Sequence, residues 1–230
     1  MSIKSQIPNS LTLLNLLSGV IGISFVLNGN IQSGALFIVL SAFFDFFDGF
    51  AARLLKVSGE LGKQLDSLAD MVSFGVLPGF IAFQTCQQLT DLEWLPYLTL
   101  IIPILSAYRL AKFNIDTRQS DRFIGVPTPA NALFFSTLPF LGEKWRFLDG
   151  ILLNPWSWVI LAWIFSILLV SEIPLIALKF KNFKPADNLF RYSLIGLGAI
   201  LLLIFGIGGI PLIIVSYLIL SLLENAIGTS

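Results

Sequence analysis

Apolar runs of bilayer length follow one another along almost the whole chain, a pattern that no ordinary soluble fold accommodates. A helix needs about 20 mostly apolar residues to cross the hydrocarbon layer. Eight such segments stand out in the 230 residues, near 10–27, 33–54, 66–88, 94–112, 129–147, 156–178, 189–205 and 210–226. Only 12% of residues are charged, where a soluble domain carries about 25%. Backbone groups in lipid must be satisfied within their own segment, which selects helices over open sheets. The expected fold is an all-α polytopic transmembrane bundle of about eight spans, forming a single domain over residues 1–230. The glycines of GIGGIP, 206–211, predict a tight turn between the last two spans. No cleavable secretion signal is expected, because the first apolar run begins near Leu11 and lacks a small-residue cleavage pattern.

Lysine and arginine set the orientation. With a cytoplasmic N-terminus, the inside set is Lys4, Arg53, Lys56, Lys63, Arg109, Lys112, Arg118, Arg122, Lys179, Lys181, Lys184 and Arg191. Only Lys144 and Arg146 fall outside. This asymmetry predicts an even number of spans, both termini cytoplasmic, in the cell (inner) membrane. Trp94, Trp145, Trp156 and Trp158 fall near predicted interfaces and read as belt anchors. Formal net charge is zero, so bulk charge singles out no partner, and no nucleic-acid partner is expected. The single cysteine, Cys86, excludes an intrachain disulfide and reads as an inert buried thiol.

Four aspartates interrupt this apolar sequence: Asp45 and Asp48 in the second segment, Asp66 and Asp70 at the start of the third. A carboxylate at bilayer depth costs roughly 2.5–3.5 kcal/mol even on lenient insertion scales. Spacings of three and four put each pair on one helix face. The connector KVSGELGKQ is short, so the two helices are antiparallel neighbours and all four carboxylates can meet just below the cytoplasmic surface. Like charges that close do not all ionise unless cations neutralise them. The chain contains no histidine, which removes Ser-His-Asp triads, phosphohistidine chemistry and histidine metal sites. A metal must then be held by oxygen, which favours two divalent ions, Mg²⁺ or Mn²⁺. Such a pair can clamp a diphosphate during phosphoryl transfer. Gly49, Ala51, Ala52 and Gly62 leave room beside the carboxylates, and Arg53 is a candidate phosphate contact.

These residues resemble a known family. Asp45-Phe-Phe-Asp48-Gly49-Phe-Ala-Ala52-Arg53, followed by Gly62, Asp66 and Asp70, reproduces D-x2-D-G-x2-A-R-x8-G-x3-D-x3-D, the signature of the CDP-alcohol phosphatidyltransferases, over residues 45–70 without departure. The resemblance implies transfer of a phosphatidyl group from a CDP-linked lipid to an alcohol, with release of CMP. It implies that Asp45, Asp48, Asp66 and Asp70 bind metal and that Asp70 is also the general base. It assigns Gly49, Ala52 and Gly62 to the nucleotide, with Arg53 as the candidate contact to its diphosphate. Pro8-Asn9-Ser-Leu-Thr12-Leu-Leu-Asn15 is similar to the family's P-N-x-x-T-x-x-N segment and adds Asn9 and Thr12 to that site. Arg109-Leu-Ala-Lys-Phe-Asn114 and Phe123-Ile-Gly125-Val-Pro127-Thr-Pro129-Ala-Asn131 are similar to the membrane-embedded phosphatidylserine synthases. The common forms there are R-L-A-R-F-N and F-x-G-L-P-x-P, so Lys112 and Val126 are conservative departures. The substrates implied are CDP-diacylglycerol and L-serine, and the assembly implied is a homodimer.

A serine site needs a cation for the carboxylate. Arg109, Arg118 and Arg122 are the candidates, weighed against simple positive-inside anchoring. Glu172 either faces the serine ammonium or pairs with Lys179 or Arg191, and Pro174 predicts a kink in the sixth span. Nothing supplies an obvious covalent nucleophile, which favours direct transfer. Two other readings are the same chemistry on glycerol phosphate or inositol phosphate, and a cation transporter with intramembrane carboxylates.

Overall fold

A computed structural model describes residues 3–116, 123–145, 148–177 and 182–228. Helices occupy all eight apolar segments. Helix α1 (Ile3–Leu27) turns through Asn28 and Gly29, whose φ of 81° suits only glycine, into α2 (Ile31–Leu55). Asn30 caps α2 by accepting the Ser33 N–H at 3.1 Å. Lys56, left-handed at φ 51°, ends it.

The connector to α3 is shorter than the sequence suggests. Helix α3 (Glu60–Asp70) begins inside the expected loop, with Gly59 as its N-cap and Glu60 in its first turn, where negative charge suits the helix dipole. A π-helical segment, Met71–Val76, joins it to α4 (Leu77–Gln88), giving one continuous helix, Glu60–Gln88. Pro78 has no N–H to give, and the ladder widens just before it, with the Leu77 N–H reaching Val72. A 3₁₀ turn, Pro96–Leu100, leads into α5 (Ile101–Ile115).

The second half contains α6 (Thr128–Lys144), the single turn α7 (Asp149–Leu152), α8 (Pro155–Val170), α9 (Leu189–Phe205) and α10 (Ile210–Ile227). The sixth span ends eight residues before its expected limit. Pro174 does not kink it: the chain has already left the helix at Ser171, and Pro174–Leu175 (β2) pairs antiparallel with Phe123–Ile124 (β1). The residue before a proline avoids the α region, which favours that exit. Gly125, at φ 72°, follows β1, and a Cβ there would stand 2.6 Å from the Leu169 carbonyl oxygen. Its N–H reaches Ile173 at 2.9 Å, and Val126 N–H reaches Leu168 at 3.0 Å. The start of α6 is thereby bonded to the end of α8.

Five stretches among the described residues are long and apolar enough to cross a bilayer: Lys4–Leu27, Ile31–Leu55, Glu60–Gln88, Pro96–Ile115 and Leu189–Ile227. The protein is a membrane protein. The last stretch is a hairpin, as the glycine turn predicts: Gly206–Gly209 folds α10 back on α9, and a Cβ on Gly209 would lie 2.5 Å from the Leu201 carbonyl oxygen. Helices α6 and α8 have 17 and 16 residues, or ~25 Å at 1.5 Å per residue, a little short of the hydrocarbon thickness.

Polar contacts gather one end of the bundle. Lys63 Nζ donates to the Asn114 carbonyl at 2.5 Å, Lys112 pairs with Glu172 at 2.7 Å, and Arg191 pairs with Glu224 at 3.6 Å. The starts of α3 and α9 and the ends of α5, α8 and α10 therefore meet. The opposite end is aromatic, with Trp94 against Trp156 and Trp145 against Phe205. Trp158 corrects the belt reading: it is 1% exposed, packs in the core and donates Nε1 to the Leu152 carbonyl. Cys86 is buried, as expected.

Two apolar cores fill the bundle. One joins Val26, Ile38, Phe74, Leu77, Ile81 and Ala132 from α1, α2, the π segment, α4 and α6. The other stacks Phe134 on Phe165, ring centroids 3.9 Å apart, beside Trp158, Ile102 and Ile214. Helices α1 and α2 cross at Gly22 and Gly34, where a Cβ on Gly34 would stand 2.9 Å from the Gly22 carbonyl oxygen and collide with Val26. Gly34→Leu should therefore cost about 1–3 kcal/mol through overpacking, read as a lower melting temperature in detergent. An unchanged melt would show that the two helices part without penalty.

Candidate active site

Two helices carry the carboxylate cluster. Asp45 and Asp48 lie in the last three turns of α2, and Asp66 and Asp70 in the last two turns of α3. Carboxylate oxygens of Asp45, Asp48 and Asp66 lie within 4.8 Å of one another, with Asp48 buried and the other two half-buried. Asp70 stands behind them, within hydrogen-bonding reach of Asp45. It is the last residue before the π segment, so the irregular turn begins at the cluster.

Helix α1 supports this arrangement from the side. Thr12 Oγ1 lies 2.7 Å from Asp48 Oδ2 and 3.1 Å from the Pro8 carbonyl, and donates to the nearer carboxylate. Asn15 Nδ2 donates to Asp70 Oδ1 at 3.3 Å. The Asn15 carbonyl accepts from Ser41 Oγ of α2 at 3.3 Å and from Ser73 Oγ of the π segment at 3.0 Å. One turn of α1 thus touches both aspartate-bearing helices. Gly19 keeps that approach close, since a Cβ there would collide with Ser73. Asn114 Nδ2 donates to Ser67 Oγ at 2.7 Å, tying α5 to the same turn of α3.

The cluster opens onto a cavity of about 440 Å³ between α1, α2 and α3. Five of the six residues assigned to the nucleotide line it: Asn9, Thr12, Gly49, Ala52 and Gly62, together with Asp48 and Asp66. A Cβ on Gly49 would meet no atom within 4 Å, so the space over that helix face is open. Arg53, about 100° further round the helix than Ala52, is exposed and does not line the cavity. Lys63 does line it, a residue the motif does not mark; its position just after Gly62 was the available signal. Asn15, Ser41 and Ser73 were also missed as supports. Asn15 alone had a signal, as the closing residue of the P-N-x-x-T-x-x-N segment.

The donor set suits a divalent cation. Three carboxylates from two helices converge, and among the described residues no lysine or arginine forms an ion pair with any of the four aspartates. A bound cation would let all of them ionise; without one, some keep their protons.

Of the three arginines considered for the acceptor, Arg118 and Arg122 lie outside the described residues. Arg109 is 7% exposed, donates Nε to the Val126 carbonyl at 2.8 Å and covers the Phe113 ring at 5.3 Å. Asp70 and Tyr217 are within its electrostatic range. Glu172 lies beyond the end of α8 and pairs with Lys112 rather than with Arg191; Lys179 lies outside the described residues. The shortened helix explains this, because Glu172 leaves the membrane-depth helix for the end of the bundle.

The sequence profile of the CDP-alcohol phosphatidyltransferase family matches residues 5–178. The chain is 36% identical over 191 residues to a CDP-diacylglycerol–serine O-phosphatidyltransferase of Bacillus subtilis, covering 80% of this chain and 96% of that protein. It is 32% identical over 192 residues to the Helicobacter pylori protein of the same name, covering 82% and 77%. A Mycobacterium leprae protein of that name is 33% identical over 176 residues, 74% of this chain but only 57% of the longer relative. The Lys112–Glu172 pair is half-exposed, and such pairs contribute about 0–1 kcal/mol. Glu172→Gln should shift the detergent melt by no more than about 1 kcal/mol equivalent; a larger loss would make this pair a structural tie.

Proposed function

The chain belongs to the CDP-alcohol phosphatidyltransferase family, and on that footing we propose that it transfers the phosphatidyl group of CDP-diacylglycerol to the hydroxyl of L-serine, giving phosphatidylserine and CMP. The observation that carries this reading is the Asp45–Asp48–Asp66 triad opening onto the cavity lined by Gly49, Ala52 and Gly62, with Asp70 behind it. The names of the relatives support the choice of lipid and acceptor.

The residues divide the work by position. The cytidine end of the lipid substrate occupies the cavity between α1 and the small residues of α2 and α3, and the acyl chains stay in the bilayer. Asn9 and Thr12 present polar atoms to it. Asp45, Asp48, Asp66 and Asp70 would hold two divalent ions, Mg²⁺ or Mn²⁺. Bound there, the ions would neutralise the diphosphate and the charge that grows on the transferring phosphoryl group. Asp70 takes the proton of the serine hydroxyl. The hydroxyl oxygen attacks the β-phosphorus, the bond to the CMP oxygen breaks, and CMP leaves. Asn15 donates to Asp70 Oδ1, which restrains the carboxylate. The bias of lysine and arginine to one end supports a cytoplasm-facing site in the cell membrane, with both termini on that side after eight crossings. The family resemblance supports a homodimer.

The test is CMP release by the detergent-purified protein from CDP-diacylglycerol, with serine, glycerol phosphate or inositol phosphate supplied in turn. Release is expected with serine and Mg²⁺ or Mn²⁺, and none after chelation. Turnover only with a phosphorylated acceptor would overturn the serine reading, and none with any acceptor would overturn the enzyme reading. Asp70→Asn should lower kcat by at least about 100-fold, the usual scale for a general base, while the melt stays that of the parent. Mn²⁺ affinity, measured by paramagnetic resonance, should fall at least about tenfold (roughly 1.4 kcal/mol) in Asp45→Asn, Asp48→Asn and Asp66→Asn. Unchanged affinity in all three would remove the metal assignment.

A further inference from the structure

Away from the cavity at the carboxylates, the two helices that pack on the π segment after Asp70 hold an unusual set of buried polar groups. Ser106, Thr128 and Asn131 are each 0% exposed. Ser106 Oγ, Thr128 Oγ1 and both amide atoms of Asn131 have no hydrogen-bond partner. Buried polar atoms are satisfied in the great majority of cases, so four orphan atoms on three side chains need a cause. Arg109 adds a buried guanidinium that forms no ion pair among the described residues, its Nε alone being held, by Val126. A charge taken out of water without a counter-ion is costly.

The topology brings these groups together. Ser106 lies one turn before Arg109 on α5, and Thr128 and Asn131 lie one turn apart at the start of α6. The bond from Arg109 to the Val126 carbonyl joins the two helices two residues before Thr128. Both helices pack on the π segment that follows Asp70. Ser106 Cβ lies 3.1 Å from where a Cβ on Gly75 would stand, and Ala132, next to Asn131, shares a core with Phe74.

We propose that Arg109, Ser106, Thr128 and Asn131 form the subsite for the acceptor, and that it recognises a free α-amino acid zwitterion. The carboxylate pairs with the terminal nitrogens of Arg109. Asn131 Oδ1 and the Thr128 and Ser106 hydroxyls accept from the ammonium. The reacting hydroxyl then points to Asp70. This rests on the serine reading above and adds what selects an amino acid: a buried cation for the carboxylate and neutral acceptors for the ammonium.

The test measures CMP release against serine concentration at saturating CDP-diacylglycerol, with the detergent melt of each variant. Asn131→Leu and Thr128→Val keep shape and remove the polar atoms. An orphan that served no ligand would be replaced by an apolar isostere with no loss of stability and no kinetic effect. The subsite predicts instead that serine KM rises at least about tenfold, while the KM for the lipid stays within about twofold and the melt is kept. Serine KM unchanged in both variants would overturn it. The parent protein supplies an arm that needs no variant: ethanolamine has the ammonium and the hydroxyl but no carboxylate. It should bind more than about tenfold more weakly than serine, and ethanolamine used or competing as well as serine would overturn the Arg109 pairing. Failure of the serine reading looks different, as CMP release by the parent protein with glycerol phosphate or inositol phosphate and none with serine.

Discussion

Everything in the first half of this molecule is arranged around four carboxylates that must sit at one depth in an apolar bundle. Each costs a few kcal/mol to place there alone, and together they repel. The fold answers with neutral donors rather than with cations. Thr12 takes Asp48, Asn15 takes Asp70, and Asn15 uses its carbonyl to anchor the serines of both neighbouring helices. Hydrogen bonds to charged groups are worth about 1.5–3 kcal/mol each, enough to orient a carboxylate but not to cancel its charge. That imbalance is what a divalent cation and a diphosphate between them would relieve.

The helix backbone makes room for the same purpose. Gly22 and Gly34 bring α1 against α2, and Gly19 brings it against the π segment. The widened turn at Met71–Val76 starts right after Asp70, so the acidic face of α3 and the apolar face of α4 belong to one rod with two registers. A regular helix through Pro78 would have carried the aspartate face onward into the core shared by Phe74 and Leu77. On the far side, the β1–β2 pairing and Gly125 fix where α6 begins, and that start is what Arg109 grips through Val126.

Much of this was legible beforehand, and for definite reasons. Hydropathy over about 20 residues located all eight helices because lipid forces each backbone to close its own hydrogen bonds. Spacings of three and four placed the aspartates on shared faces because helix geometry is local. What misled was also local. Glu172 read as intramembrane because the apolar run continues to its flanks, yet the helix stops at Val170, before Pro174. Trp158 read as an interface anchor by its distance from the segment end, yet α8 turns it into the core. For Arg53 the signature marks the residue but not its placement: it is exposed, while Ala52 beside it lines the cavity.

By itself the sequence determined a helical membrane protein, an oxygen-only acidic cluster of fixed spacing, and the family to which that spacing belongs. These are properties of composition and of neighbours within two turns. The tertiary structure decided which neutral donor serves which carboxylate, which small residues face the cavity beside them, and that Arg109 grips Val126 just before α6. Those outcomes depend on how each helix is rotated about its axis, and rotation is set by packing between residues far apart in the chain, such as Asn15 with Ser73 or Gly22 with Gly34.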